Sequence, residues 1–313
     1  MGARVAFAPS LTRGSVPVRV HHRRGVARPR AMSTSPLFDA GVPLEELPWG
    51  KVGESAVASR TFPYNDGATA LEAYLAWDPE ALRRAGGGLP GVLVAHTAIG
   101  PQEVFIHSCC DALARLGYAA LALDLFGAGA CVFDKARRDA ILNPLRENRA
   151  ANAARTRAGY DALTAQAEVD ASLGVCAVGF CLGGQAVLDL ARAKSARQLR
   201  GVVSVHGSLD HPPSLASPST SEDHPAATAL LLHGTEDPFN PPERVRACVE
   251  GLRDAGVEHR LVEFEGAMHG FTRPEKVTPS DRDAGFGYDD AAARRSWEMI
   301  EAFLEARGSL EAV

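Results

Sequence analysis

No stretch of the 313 residues approaches the roughly 20 consecutive apolar positions needed to cross a bilayer, so no membrane-spanning helix is expected. No segment recurs at a period of about 20 to 50 residues, which excludes a solenoid or propeller. The six cysteines, at 109, 110, 131, 176, 181 and 248, form no C-x-x-C pair and no ligand-spaced cluster with histidine. That pattern points to a reducing compartment and to no metal site. Acidic residues are missing from the start of the chain: none precedes Asp39, while residues 1–31 carry seven arginines. An arginine-rich, acid-free start that contains serines and lacks a continuous apolar stretch has the composition of an organellar transit peptide, not of a secretory signal. Chloroplast or mitochondrion is therefore expected, and cytoplasm otherwise. A myristoylation site is not completed, because Ala6 stands where Ser or Thr is required.

Without those seven positive charges the formal net charge moves from -5 to -12. So acidic a body is a poor partner for nucleic acid, whose binding rests on phosphate neutralisation. The remaining composition, 46% hydrophobic and 23% charged, is that of a globular domain, and one domain over about residues 45–310 accommodates it. Short apolar runs alternate with helical patterns along this body. "GVLVAH", "YAALALDLFG", "GVCAVGF", "LRGVVSVHG" and "ATALLLHG" read as strands buried on both faces. "PQEVFIHSCCDALARLG", "GGQAVLDLARAK", "PERVRACVEGLRDAG" and "DDAAARRSWEMIEAFLEAR" read as helices. An opening hairpin is expected around Asp66-Gly67, a loop over "DPEALRRAGGGLP", and a helix break at Pro144 before a further helix over "DALTAQAEV". This alternation predicts an α/β fold with a mostly parallel central sheet and helices on both faces. Ligands then sit at the carboxyl ends of the strands.

Three strand ends carry chemistry. Cys181 lies in Gly179-Phe180-Cys181-Leu182-Gly183, a nucleophile elbow with a thiol in place of the usual serine. Asp237 follows "ALLLHGTE" and His269 follows "LVEFEGAM". Nucleophile, acid and histidine in that chain order define the triad arrangement of α/β-hydrolases. A sharp strand-to-helix turn lifts Cys181 to a helix N-terminus, which favours thiolate. His269 would move the proton, and Asp237 would hold its ring in the useful tautomer. Backbone N–H groups of Leu182 and of the loop after "GVLVAH" are candidates for an oxyanion hole. Cys176 reads as packing, and His96, His206 and His233 also end strands without completing the pattern.

The stretches "GVLVAHTAIG", "LARLGYAALALDLFG", "VGFCLGG", "LLLHGTEDPFNPPE" and "GAMHGFTRP" resemble the dienelactone hydrolase (carboxymethylenebutenolidase) family of α/β-hydrolases, from roughly Ala56 to Leu304. The resemblance implies Cys181, Asp237 and His269 as triad, with Leu182 and Ala98 as oxyanion-hole donors. It implies hydrolysis of an enol lactone or related ester through a thioester, with no metal or organic cofactor. Arg273, in "HGFTR", matches the family arginine that binds substrate carboxylate, and a second arginine is expected among residues 135–155. Thr97, which the resemblance places at the substrate site, stands where the dienelactone hydrolases proper carry a glutamate that helps control the cysteine's protonation, and Glu103 is expected to be already helical. Two alternatives use the same residues: a broader esterase, thioesterase or peptidase, and a non-catalytic ligand-binding or redox-sensing module.

Overall fold

The computed structural model describes Leu47, Trp49 and residues 56–210 and 227–307. The arginine-rich residues 1–31, and most of the Pro/Ser-rich loop after Asp210, lie outside the described residues. Eight strands form one sheet: β1 (Ala58–Asn65), β2 (Ala70–Trp77), β3 (Gly91–Ala95), β4 (Ala119–Leu123), β5 (Val175–Phe180), β6 (Leu199–Val205), β7 (Thr228–Gly234) and β8 (His259–Phe264). Their spatial order is β1-β2-β4-β3-β5-β6-β7-β8. β1 and β2 are antiparallel to each other, and β2 is antiparallel to β4; the other neighbours run parallel.

The helices are α1 (Pro79–Arg84), α2 (Val104–Arg115), α3 (Lys135–Glu147), α4 (Arg149–Thr164), α5 (Leu182–Ala193), α6 (Pro242–Asp254), α7 (Pro279–Asp283) and α8 (Asp290–Glu305). Alternation along the buried strands sends successive side chains to opposite faces. Leu93, Leu121, Ala177, Val202 and Leu231 pack with residues of α3, α4, α5 and α6. Val92, Val94, Val178, Val203 and Leu232 pack with residues of α2 and α8 on the other face. Cys176 belongs to this second core, and burial pushes its thiol up to about 12. It is packing.

The predicted α/β architecture is the one observed, with differences at three local points. "DPEALRR" is helical rather than looped, because Asp78 accepts from the Glu80 and Ala81 amides while Pro79 occupies the first turn. Pro144 does not break α3, which continues to Glu147; the break falls at Asn148, whose side chain accepts from Ala151 N. A single α4 then runs on to Thr164, through the start of the separate helix expected over "DALTAQAEV". The hairpin spans four residues between Asn65 and Ala70. Its loop closes on Asp66 Oδ1, which accepts from Thr69 N at 3.0 Å.

Candidate active site

β5 ends at Phe180 and α5 begins at Leu182, which leaves one residue to reverse the chain. Cys181 takes φ 53° and ψ -112°, a conformation that costs a non-glycine residue on the order of 1–3 kcal/mol. Its surroundings hold it there. Cys181 N donates to Val205 O at 3.2 Å, and Cys181 O accepts from Gly184 N at 3.1 Å and Ser208 N at 2.9 Å. The flanking glycines are sterically required. A Cβ on Gly179 would lie 2.1 Å from Gly183 O, and one on Gly183 would lie 2.1 Å from Ala95 O.

The thiol of Cys181 is half-buried and meets three donors: His269 and the backbone N–H groups of Leu182 and Ala98. Burial raises its pKa, but the charge and hydrogen bond of His269, together with the two amides, outweigh burial and hold the thiol below its ordinary range. His269 is buried, and its Nδ1 lies 2.8 Å from Asp237 Oδ2. Burial lowers the imidazole pKa; the adjacent sulfur and the Asp237 carboxylate overcome this and raise it. Asp237 stays ionised despite burial, because His269, Asn240 and the Phe239 amide hydrogen-bond to it. Both shifts favour a thiolate–imidazolium pair backed by a carboxylate.

Thr97 and Arg273 do not offer themselves to a ligand. Thr97 Oγ1 donates to Glu103 Oε2 at 2.8 Å and accepts from Ile99 N at 3.1 Å, which fixes the loop carrying the Ala98 amide. Glu103 is extended at φ -69° and ψ 132°, one residue before α2, and is not yet helical. Its other oxygen accepts from Arg273 Nη2. Arg273 Nε donates to Glu275 Oε1 at 2.7 Å, and the guanidinium carbon stands 4.7 Å over the Phe105 ring. The expected carboxylate-binding arginine is thus buried and already held by two carboxylates. A substrate carboxylate would have to displace one of them. Two arginines of the 135–155 stretch are committed elsewhere as well: Arg149 to Asp189, and Arg155 to Asp66 and Leu125 O.

One neighbour, Asn240, escaped the sequence reading, and two more, His206 and His96, were noted there only as residues that end strands. Asn240 Nδ2 donates to Asp237 Oδ2 at 2.7 Å and to Gly207 O at 2.9 Å, while its Oδ1 accepts from Leu209 N at 2.8 Å. The four-residue turn Asp237-Pro238-Phe239-Asn240 was its only signal. His206, at φ 36°, packs its ring edge-on to that of His269 with centroids 5.4 Å apart. His96 accepts from Leu125 N at Nε2, so its proton sits on Nδ1, which donates to Thr97 O at 2.6 Å. Burial lowers the His96 pKa to about 4 and keeps the ring neutral, as a brace. Phe239 and Phe286 flank His269 edge-on at 5.1 and 5.5 Å, and Phe239 is 40% exposed.

A family model described as the dienelactone hydrolase family matches residues 71–307. The structure is similar to that of a dienelactone hydrolase-like promiscuous phosphotriesterase from metagenomic libraries, with TM-score 0.70 and 32% identity over 82% of this chain and 100% of that one. It also shares its fold with a dienelactone hydrolase from Anabaena variabilis, with TM-score 0.53 and 20% identity over 79% of this chain and 97% of that one. An uncharacterized protein of Caenorhabditis elegans is 34% identical over 135 residues, which is 41% of this chain and 77% of the other.

Proposed function

The chain belongs to the dienelactone hydrolase family and is a hydrolase of small-molecule substrates; we propose that it cleaves carboxylic esters with Cys181 as nucleophile, through a thioester. One observation carries this reading. His269 and the Leu182 and Ala98 amides act together on the Cys181 sulfur and favour its thiolate. The thiolate attacks the carbonyl carbon, and the carbonyl oxygen takes the electron pair and turns into those two N–H groups. Each such donor contributes on the order of 3 kcal/mol to an acyl-transfer barrier. Collapse expels the alcohol oxygen, which takes its proton from the His269 imidazolium. The neutral imidazole then draws a proton from water as that water attacks the thioester. Thiolate leaves, acid is released, and the thiolate–imidazolium pair is restored. Asp237 holds Nδ1–H throughout, so Nε2 always faces the sulfur.

Variants test the assignment. Cys181→Ala and His269→Ala should each lower aryl-ester turnover by several orders of magnitude, since triad members act as a unit. Cys176→Ala should stay near wild type. A folded Cys176→Ala protein as inactive as Cys181→Ala would overturn the choice of nucleophile. A phosphotriester is a second substrate class to assay, because the metagenomic protein 32% identical to this chain is a promiscuous phosphotriesterase. The transit-peptide reading of residues 1–31 belongs to the proposal too, and N-terminal sequencing of the protein from its own cells tests it. An intact Met1 or Gly2 on most molecules would refute it.

A further inference from the structure

We propose that this site selects substrates whose groups beside the scissile carbonyl carry no negative charge, and that Glu103 and Glu275 impose the selection by neutralising Arg273. The inference rests on the cysteine-hydrolase reading and narrows its substrate class. Arg273 is close enough to the site to act on His206, whose ring touches that of His269. A free guanidinium there would attract a carboxylate bidentately. Instead its Nη2 lies against both Glu103 and Glu275, and its Nε donates to Glu275. The three side chains are buried, so their charges are weakly screened.

The local balance is acidic. His269 and Arg273 carry positive charge; Asp237, Glu103, Glu275 and the Cys181 thiolate carry negative charge. Glu275 Oε2 is buried without a hydrogen-bond partner among the described residues, so its charge is not spread further. Lys276, with Nζ 5.2 Å over the Phe286 ring, is paired with Asp281 at 3.1 Å. What the site presents beside His269 is aromatic surface, from Phe239 and Phe286. An uncharged aryl or alkyl group suits that surface. A carboxylate there would be repelled by two unbalanced anions, and Arg273, the guanidinium that acts on His206, is already paired with both Glu103 and Glu275.

Two measurements test this independently of each other. The first compares kcat/KM for 4-acetoxybenzamide and 4-acetoxybenzoate, aryl acetates of similar shape that differ in one charge. The amide should be favoured at least tenfold, and added salt should shrink the ratio. The second compares alkylation of Cys181 by iodoacetamide and iodoacetate, relative to the same pair of reagents on a small thiol. It needs no turnover. His269 imidazolium alone would favour the anionic reagent; the acidic surroundings should reverse this and favour the neutral one at least tenfold. Glu275→Gln removes one anion without touching Thr97 and should narrow both ratios severalfold. Equal or inverted ratios in the wild type would overturn the proposal, as would ratios unchanged in a folded Glu275→Gln protein. Charge-selective alkylation without hydrolysis of either ester would leave the selection standing and defeat the hydrolase reading. Hydrolysis of both esters at equal rates would do the opposite.

Discussion

Thr97 shows how much one hydroxyl can decide. The resemblance places it where a carboxylate is expected beside the thiol, and a hydroxyl cannot serve as a base. In the structure it joins Glu103 to Ile99 N and so sets the loop that aims the Ala98 amide at Cys181. It is a positioning residue. Thr97→Val keeps the shape and removes both hydrogen bonds, freeing the half-buried Ile99 amide and leaving the buried Glu103 oxygen unsatisfied at about 1–3 kcal/mol. The expected result is a kcat about tenfold lower with little change in KM, since the oxyanion forms only in the transition state. Thr97→Ser should recover most of the loss. A Val variant with unchanged kcat would remove the loop from the account of catalysis. The proposed triad could be picked out in the sequence because Cys181 directly follows the apolar β5, and Asp237 and His269 stand three and five residues beyond the ends of β7 and β8, in turns rich in small or turn-forming residues. Asn240, His206 and the Arg273–Glu103 pair were not legible. Their roles depend on which way side chains point across loops up to 170 residues apart in the chain.

Among the elements, the buried strands were the easiest to read. β3, β4 and β5 are continuous apolar runs because helices cover both their faces, while β6 and β7 keep the same mainly apolar pattern around Arg200, Ser204 and His233. The stretch between β4 and β5 was harder. Pro144 suggested a break, but its missing N–H removes only the bond to the carbonyl four residues upstream, and α3 continues past it to Glu147. Asn148 was the true boundary, marked by a capping side chain that looks like any polar residue in a polar segment. α1 was missed for a related reason. Its cap, Asp78-Pro79, is a helix-start signal, but Gly86-Gly87-Gly88 just beyond made the whole stretch look like a loop. Glu103 followed the same logic in reverse. Helical periodicity ran back through it, yet its carboxylate is held by Thr97 and Arg273, and the chain stays extended until Val104.

At the scale of the whole molecule, the sheet brings together chain segments that sequence separates widely. β3 pairs with β5, so the loop after Ala95 meets the elbow after Phe180, and Gly183 N donates to His96 O at 3.0 Å. β7 pairs with β8, so Asp237 and His269 emerge side by side. Cys181 and His269, proposed as the catalytic pair, join these two halves across the strand ends. Their protonation follows from that meeting. The folded-state pKa of Cys181 is depressed, so thiolate persists above it and is lost as pH falls through it. The pKa of His269 is raised, so imidazolium persists until pH rises through it. The ion pair occupies the window between the two.

The most direct measurement is therefore the pH dependence of Cys181 alkylation by iodoacetamide, beside that of kcat/KM for an uncharged aryl ester, in wild type and in His269→Ala. In the wild type both acid limbs should coincide, at a pH below the ordinary thiol range, because kcat/KM reports the ionisation of the free enzyme. In His269→Ala the largest influence favouring the thiolate is gone and burial remains, so the alkylation limb should move to higher pH. Turnover that continues at a pH where Cys181 no longer alkylates, or an alkylation limb that stays in place without His269, would contradict the thiolate–imidazolium pair as the nucleophile.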